Sequence, residues 1–289
     1  MANNTVFGAY NDTKEKLKAA GIEDYGFEAR VVMRHVTGLN NKEILLNYNT
    51  PLTTDMLLRL HSIVNRRAQR YPLQYILGEW EFYGLTLSVG EGVLIPRADT
   101  ETAVDTALEL IKGKEAPSVL DLCAGSGAIG LSIAVNRADS RVGLLEKYPA
   151  AAEYLKVNIK RNAPDNAYYL PGDVLRGDGA ENGKFDLIVS NPPYISDKDM
   201  KTLQPEVLCE PPEALFGGDD GLAFYRAIAE NYKSAINTGG AICFEVGFGE
   251  AEAVKQILLS AGFEDVKAAK DLSGIDRVVF GTVRQYIIQ

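Results

Sequence analysis

The sequence has few residues of the types that bind metal ions or form disulfides. Its 289 residues include three cysteines and two histidines. The cysteines, Cys123, Cys209 and Cys243, lie far apart and form no CxxC pair, and the histidines add no ligand spacing. We therefore predict free thiols in a reducing compartment and no metal site.

Long apolar runs and an excess of basic residues are also missing. No segment reaches the roughly 18 apolar residues that a membrane helix needs, and the N-terminus does not resemble a secretion signal. The formal net charge is −9, whereas tight nucleic-acid binding usually requires a basic surface. We therefore expect a cytoplasmic monomer with no membrane segment and no stable nucleic-acid binding.

Three regions of different sequence pattern follow one another along the chain. Residues 1–72 space their apolar side chains as helices do, which predicts a small helical domain. Substrate docking by this domain is a separate hypothesis that the spacing does not test. Residues 73–96 are rich in aromatic residues, β-branched residues and glycine, which predicts a β-hairpin linker with turns at Gly84 and at 90–92. In residues 97–289 strand and helix patterns alternate, so we predict an α/β catalytic domain with a mainly parallel sheet.

A glycine-rich loop, residues 125–130, lies between a predicted strand and a predicted helix and matches the pattern GxGxxG. Glycines allow a tight turn and a close approach of the backbone to a ligand. Glu146 ends the next predicted strand, about 20 residues further on, where a carboxylate can accept hydrogen bonds from both hydroxyls of a ribose. The loop alone fits a dinucleotide site equally well, and Glu146 could instead be a solvated strand end.

Asp121 lies at the end of the strand before this loop and favours one cofactor class. A carboxylate that faces a pyrophosphate would be repelled in a low-dielectric pocket. S-adenosylmethionine has no phosphate and carries positive charge on its amino group and sulfonium, so an acid is tolerated there. The alternative is that Asp121 only braces the loop.

The segment Asn191-Pro192-Pro193-Tyr194 ends another buried predicted strand. The two prolines stiffen the chain, so the Asn191 side-chain oxygen and the Pro192 carbonyl form a rigid pair of acceptors. Such a pair can hold both N–H groups of a planar NH2 and stabilise the charge that develops on its nitrogen. The face of Tyr194 can stack on the acceptor beside a sulfonium. The pattern predicts methylation of a planar NH2 group, and a strand-ending turn without chemistry is the alternative.

Two further groups of charged residues leave their interpretation open. Arg97 and Glu101 could pair near the mouth of the cofactor site, or cap the helix that follows. Arg66, Arg67 and Arg70 form a basic cluster that is either a solvated helix end or a surface for an acidic partner.

Several segments together resemble the HemK-type protein-(glutamine-N5) methyltransferases, which modify peptide chain release factors. These segments are 72–78, 93–101, 121–129, 191–194, 210–218 and 220–221. The combination is specific, because Asn-Pro-Pro-Tyr alone also resembles amino-methyltransferases that act on DNA adenine or RNA guanine. The helical start fits the family's small N-terminal domain by size and pattern only.

The resemblance implies a seven-stranded, Rossmann-like methyltransferase fold that uses S-adenosyl-L-methionine and releases S-adenosyl-L-homocysteine. It implies that residues 191–194 receive the glutamine of a Gly-Gly-Gln tip, with Asn191, Pro192 and Tyr194 as the catalytic set. Glu146 stands where aspartate is commoner, and Val174 where a large aromatic residue can occur, which puts stacking there in doubt. The predicted cofactor-binding residues are Asp121, Gly125, Ser126, Gly127, Ala128, Ile129, Glu146, Asp173, Val174 and Asn191.

Other functions remain as alternatives at this point. A glutamine methyltransferase of a ribosomal protein would use the same chemistry with another docking surface. A nucleic-acid amino-methyltransferase would need a basic groove or a target-recognition insertion. A dinucleotide oxidoreductase or a non-catalytic cofactor-binding regulator would share the glycine-rich loop.

Overall fold

The computed structural model describes residues 4–163 and 165–284, and the chain divides into two compact units. Of the described residues, one unit comprises those up to Gly78 together with Gln204–Cys209. The other comprises those within Glu79–Leu203 and those from Glu210 onward. Among the described helices, none is both long enough and apolar enough to cross a membrane.

The first unit is helical, as predicted. Three of its helices begin at side chains that satisfy free backbone N–H groups: Thr5 caps α1, Thr53 caps α4, and Asn40 forms a capping box with Glu43 before α3. Apolar side chains of these helices pack into one core. The helices are α1 (Val6–Ala19), α2 (Tyr25–Thr37), α3 (Asn41–Leu46), α4 (Thr54–Ala68) and α5 (Leu73–Leu77).

The region predicted as a hairpin linker is only partly a hairpin. It begins with helix α5, which follows Pro72 and ends at Gly78 in the left-handed conformation. The hairpin itself is β1 (Glu79–Phe82) paired with β2 (Leu85–Ser88). Tyr83 and Gly84 form its turn with φ of 48° and 78°, as a two-residue hairpin turn of primed type requires. The predicted second turn at 90–92 lies after the hairpin.

A seven-stranded sheet is the centre of the second unit, which confirms the predicted fold class. Its spatial order is β5-β4-β3-β6-β7-β9-β8. The first five of these strands pair in parallel, and β9 is antiparallel to both of its neighbours. The strands are β3 (Ser118–Leu122), β4 (Arg141–Glu146), β5 (Ala167–Pro171), β6 (Phe185–Ser190), β7 (Ile236–Glu245), β8 (Glu264–Lys270) and β9 (Asp276–Thr282).

Helices cover both faces of this sheet. Side chains of α6, α7 and α8 belong to the core on one face, and side chains of α10 and α11 to the core on the other. Alternation along β3 sends Val119 to the first core and Leu120 to the second. The helices are α6 (Glu101–Leu110), α7 (Ala128–Asn136), α8 (Pro149–Asn162), α9 (Asp197–Met200), α10 (Ala223–Tyr232) and α11 (Ala251–Ser260).

Candidate active site

A cavity lies at the carboxyl ends of the parallel strands, where α/β sheets bind ligands. It holds about 1000 Å³ of free space, including solvent at its mouth, which is within the usual range for small-molecule sites. It brings together predicted residues from four strand ends and the segments after them. Those that line it are Asp121, Gly125, Ser126, Ala128, Ile129, Glu146, Asp173, Val174, Asn191 and Pro193.

Gly127 shapes the glycine loop although it is not among the residues that line the cavity. Its φ is +86°, and it is the residue before the first turn of α7. A Cβ atom at this position would lie 2.6 Å from Leu155 Cδ1 and 2.9 Å from Leu131 Cδ1. Glycine is therefore required both for the turn and for the close packing of the loop against α8.

Asp121 is 1% exposed, and its position is compatible with both interpretations that the sequence left open. It lines the cavity, and its Oδ2 accepts a hydrogen bond of 2.8 Å from the Gly130 N–H. Burial and the nearby charge of Glu146 raise the pKa of Asp121 to about 7, against the opposing effect of the Gly130 hydrogen bond. A positive ligand beside this carboxyl group would favour its ionised form.

Glu146 is a buried strand end, so the solvated alternative for this residue is wrong. Its Oε2 accepts from the Gly125 N–H at 2.9 Å, and its Oε1 accepts from the Tyr148 N–H at 2.7 Å. Burial raises the pKa of Glu146 although these backbone donors oppose the shift. Each carboxylate oxygen can accept more than one hydrogen bond, so Glu146 can brace the glycine loop and still accept from ligand hydroxyls.

Asp173 and Val174 form another part of the cavity wall. Asp173 caps a short 3-10 helix by accepting from the Leu175 N–H at 3.0 Å, and it pairs with Lys147 at 2.9 Å. Partial burial opposes ionisation of Asp173, but Lys147 holds its pKa below the usual range. Val174 is buried and offers the cavity an aliphatic surface rather than an aromatic ring.

The segment 191–194 continues directly from β6. Ser190 fixes the end of β6 by donating from its hydroxyl to the Leu122 carbonyl at 2.7 Å. Asn191 and Pro193 line the cavity, whereas Pro192 and Tyr194 are not among the lining residues. Of the four predicted substrate residues, the structure thus brings two to the cavity wall.

Glycines pack closely around the backbone of this segment. A Cβ at Gly217 would lie 2.6 Å from Tyr194 Cα and 2.7 Å from the Pro193 carbonyl oxygen. Tyr194 is partly buried, and burial together with the charges of Glu245 and Glu250 raises its pKa above the usual range. The phenol group therefore stays protonated at neutral pH.

The sequence analysis missed two carboxyl groups near Tyr194. Glu245 ends β7 beside the end of β6, since Ser190 pairs with Phe244 in the parallel register, and burial raises its pKa to about 7. Glu250 accepts from the Gly247 N–H at 3.0 Å, and burial raises its pKa to about 7 as well. The sequence feature that could have identified Glu245 is its position as an acidic residue at the carboxyl end of β7, the strand next to β6.

Arg97 does not pair with Glu101. Its guanidinium group instead contacts the carboxylate of Glu210, which also accepts from the Ile95 N–H at 3.0 Å and is 4% exposed. Glu101 accepts from the Tyr83 N–H at 3.0 Å. The missed partner, Glu210, lies 113 residues away in sequence, so local spacing could not reveal it.

The fold agrees with that of known methyltransferases. The family model "Methyltransferase small domain" matches residues 97–224. A solved methyltransferase from Pyrococcus furiosus superimposes with a TM-score of 0.51 at 18% identity, covering 80% of this chain and all of that chain. This likeness concerns the fold alone. The fold and the domain match together define a methyltransferase of the seven-stranded, Rossmann-like class.

Sequence similarity identifies one family within this class. The chain is 39% identical over 272 residues to the release factor glutamine methyltransferase of Geobacter sulfurreducens, covering 94% of each chain. It is 38% identical over 265 residues to that of Clostridium botulinum, covering 91% of this chain and 94% of the relative. The family model "PrmC N-terminal domain" matches residues 9–78. The chain therefore belongs to the release factor glutamine methyltransferase family.

Proposed function

We propose that this enzyme methylates the side-chain amide nitrogen, N5, of the glutamine in the Gly-Gly-Gln motif of peptide chain release factors. The observation that carries the proposal is that Asn191 and Pro193 share one cavity with the glycine loop, Asp121 and Glu146. A methyl donor and a planar NH2 acceptor can thus meet at one place. The names of the similar proteins supply the identity of the acceptor.

The residues of the cavity fit S-adenosyl-L-methionine as the donor, with S-adenosyl-L-homocysteine as the product. When bound, the donor supplies an electrophilic methyl group on a positively charged sulfur. Asp121 and Glu146 are acidic groups in a poorly solvated cavity, which suits a cationic ligand and disfavours a pyrophosphate. We assign the ribose hydroxyls to Glu146 and the adenine region to Asp173 and Val174. The glycine loop 125–129 would follow the remaining part of the ligand.

The acceptor amide would be held by residues 191–194. We assign its two N–H groups to the Asn191 side-chain oxygen and the Pro192 carbonyl, which accept hydrogen bonds and stabilise positive charge on the nitrogen. Tyr194 would offer its ring face to the planar amide. Because methyl transfer is an in-line displacement, correct placement supplies much of the rate. The close packing of Gly217 on Pro193 and Tyr194 keeps the backbone of this segment in one position.

The rest of the chain supports a protein substrate. We propose that residues 1–72 dock the release factor, that 73–96 link this docking domain to the catalytic domain, and that 97–289 carry the chemistry. The net charge of −9 argues against stable nucleic-acid binding. We further propose that the enzyme works as a monomer in the cytoplasm, where its substrate takes part in translation.

The test is a transfer assay with methyl-labelled S-adenosylmethionine and purified acceptors. The proposal predicts label on an intact release factor and none on the same factor with Gln→Ala in its Gly-Gly-Gln motif. Label on a ribosomal protein or an RNA, with the release factor unlabelled, would identify one of the alternative acceptors. Label retained on the Gln→Ala factor would contradict glutamine as the site.

A further inference from the structure

The segment Gln204–Cys209 groups with the helical unit although its sequence neighbours on both sides belong to the catalytic unit. In sequence it follows Tyr194 of the predicted acceptor site and comes directly before Glu210, the buried partner of Arg97. The segment is locally ordered: the Leu208 N–H donates to Gln204 O, and the Cys209 N–H donates to Glu206 O, both at 3.1 Å. The segment Gln204–Cys209 is thus covalently part of the loop that follows Tyr194 and belongs to the helical unit.

Glu206 attaches this segment to the carboxyl end of α4 through two arginines, Arg67 in the last turn of the helix and Arg70 just after it. Arg67 Nη1 donates to Glu206 Oε1 at 2.8 Å, and Arg70 Nη2 donates to Glu206 Oε2 at 2.8 Å. Arg67 also binds Glu28 of α2 with two hydrogen bonds, of 2.7 and 3.0 Å. The side chain of Arg67 is 7% exposed, and those of Glu28 and Glu206 are 15% and 16% exposed. The basic cluster is therefore not a free surface at Arg67.

The charges in this cluster are compatible at neutral pH. Burial opposes ionisation of Glu206, but Arg70 and Arg67 hold its pKa below the usual range. Buried pairs of this kind add little net stability, because desolvation offsets the attraction, yet they fix geometry through directional hydrogen bonds. Arg67 and Arg70 donate to different oxygens of Glu206, so these two arginines set the position of its carboxylate.

The acceptor loop, residues 195–217, begins and ends within the catalytic unit. The Ile195 N–H donates to Leu215 O at 2.8 Å, and the Gly217 N–H donates to Ile195 O at 2.9 Å. These bonds close a loop that begins directly after Tyr194. The part of this loop that returns to Leu215 includes Pro211, which lines the cavity. The segment Gln204–Cys209 therefore lies within a loop that begins at the acceptor segment and includes a residue of the cavity wall.

We propose that Glu206 is a positioning residue: it holds the segment Gln204–Cys209, which belongs to the loop that follows Tyr194, on the helical unit, and this contact supports methylation of a protein substrate that docks on that unit. The inference rests on the proposed function, since it concerns how the same site receives an intact release factor. Arg67 and Arg70 then affect methylation of the protein substrate by holding Glu206, and they do not contact the reacting atoms.

The test compares E206Q with E28Q. Both variants remove one carboxylate charge of similar exposure from the same arginine, but only E206Q releases the loop. For E206Q we expect the KM for an intact release factor to rise about tenfold, with kcat and the dissociation constant for S-adenosylmethionine changed less than about twofold. Amide hydrogen exchange at Leu208 and Cys209 should become about tenfold faster. For E28Q none of these quantities should change by more than about twofold.

A second variant, R70Q, guards against a failure of E206Q to fold, because Arg70 is more exposed than Arg67, at 31%. It should change KM and exchange in the same direction, by a smaller factor. Equal kinetics for E206Q and E28Q, or unchanged exchange at Leu208 and Cys209, would overturn the inference. Failure of the wild-type enzyme to methylate the release factor would instead refute the proposed function, whereas the exchange comparison would still report on the tether.

Discussion

At the scale of single residues, the site is defined by acids that are buried at the carboxyl edge of the sheet. Asp121 and Glu146 both line the cavity and both accept hydrogen bonds from backbone N–H groups of the glycine-loop region. Burial raises the pKa of each. These acids therefore hold the loop in place and at the same time make the cavity favourable for a cation, which gives two predictions.

Replacing Glu146 should weaken cofactor binding strongly. E146A removes the acceptor of the Gly125 N–H and the proposed acceptor of the ribose hydroxyls, and hydrogen bonds to charged groups contribute about 1.5–3 kcal/mol each. We expect the dissociation constant for S-adenosylmethionine to rise by about ten- to a hundredfold, measured by calorimetry. E153A removes an exposed glutamate of α8 and should leave the constant unchanged. Equal effects of the two variants would contradict the assignment.

Cofactor affinity should depend on the ionisation of Asp121. The pKa of Asp121 in the free protein is raised to about 7, and a cationic ligand favours the ionised form. Below that pKa a proton must leave before binding, so affinity falls as the pH falls. From pH 8 to pH 6 the dissociation constant should rise about tenfold. D121N should bind more weakly at pH 8 and lose this dependence, and a wild-type constant that is flat over the same range would refute the prediction.

At the scale of structural elements, close packing rather than side-chain chemistry holds the acceptor segment. The segment follows the fully buried strand end of β6, and Gly217 contacts it from the returning part of the loop. The hydrogen bonds between Ile195 and residues 215–217 close the loop at this place. Because the contacts are made by backbone atoms, the neighbours cannot turn away to make room.

Adding a single methyl group at this contact should disturb the site. In G217A the new Cβ would lie 2.6–2.7 Å from backbone atoms of Pro193, Tyr194 and Gly221, and overpacking of this kind costs about 1–3 kcal/mol. We expect lower thermal stability and a large loss of kcat. G113A is the matched control, because nothing lies within 4 Å of its added Cβ. If G217A retained wild-type kcat and melting temperature, the segment would not be held by this packing.

The elements that the sequence predicted and those that it missed differ in burial. β3, β4 and β6 are short apolar strands bounded by polar residues, and the sequence predicted a strand that ends near Asp121, one that ends at Glu146 and one that ends at Asn191. The edge strands β5 and β8 carry no clear strand pattern, because β5 is only half-buried and β8 has four charged residues within Glu264–Lys270. Each of these edge strands pairs with only one neighbour, so its side chains are less buried and its apolar pattern is weaker.

At the scale of the whole molecule, the site could be predicted where it depends on short motifs and not where it depends on long-range contacts. The glycine loop, Glu146 and Asn191 are read from strand ends, and the sheet brings them to one cavity. The partnership of Glu210 with Arg97, the position of Glu245 beside β6 and the tether from Glu206 to Arg67 link residues far apart in sequence. Spacing along one chain carries no signal for such pairs.

The measurement that tests the central claim most directly is peptide mass spectrometry of a release factor after incubation with the enzyme and S-adenosylmethionine. The account predicts one added methyl group, located on the glutamine of the Gly-Gly-Gln motif. With N191A the rate should fall by about a hundredfold or more, as it does when a group that stabilises developing charge is removed. A methyl group on another residue, or an unchanged rate with N191A, would contradict the account.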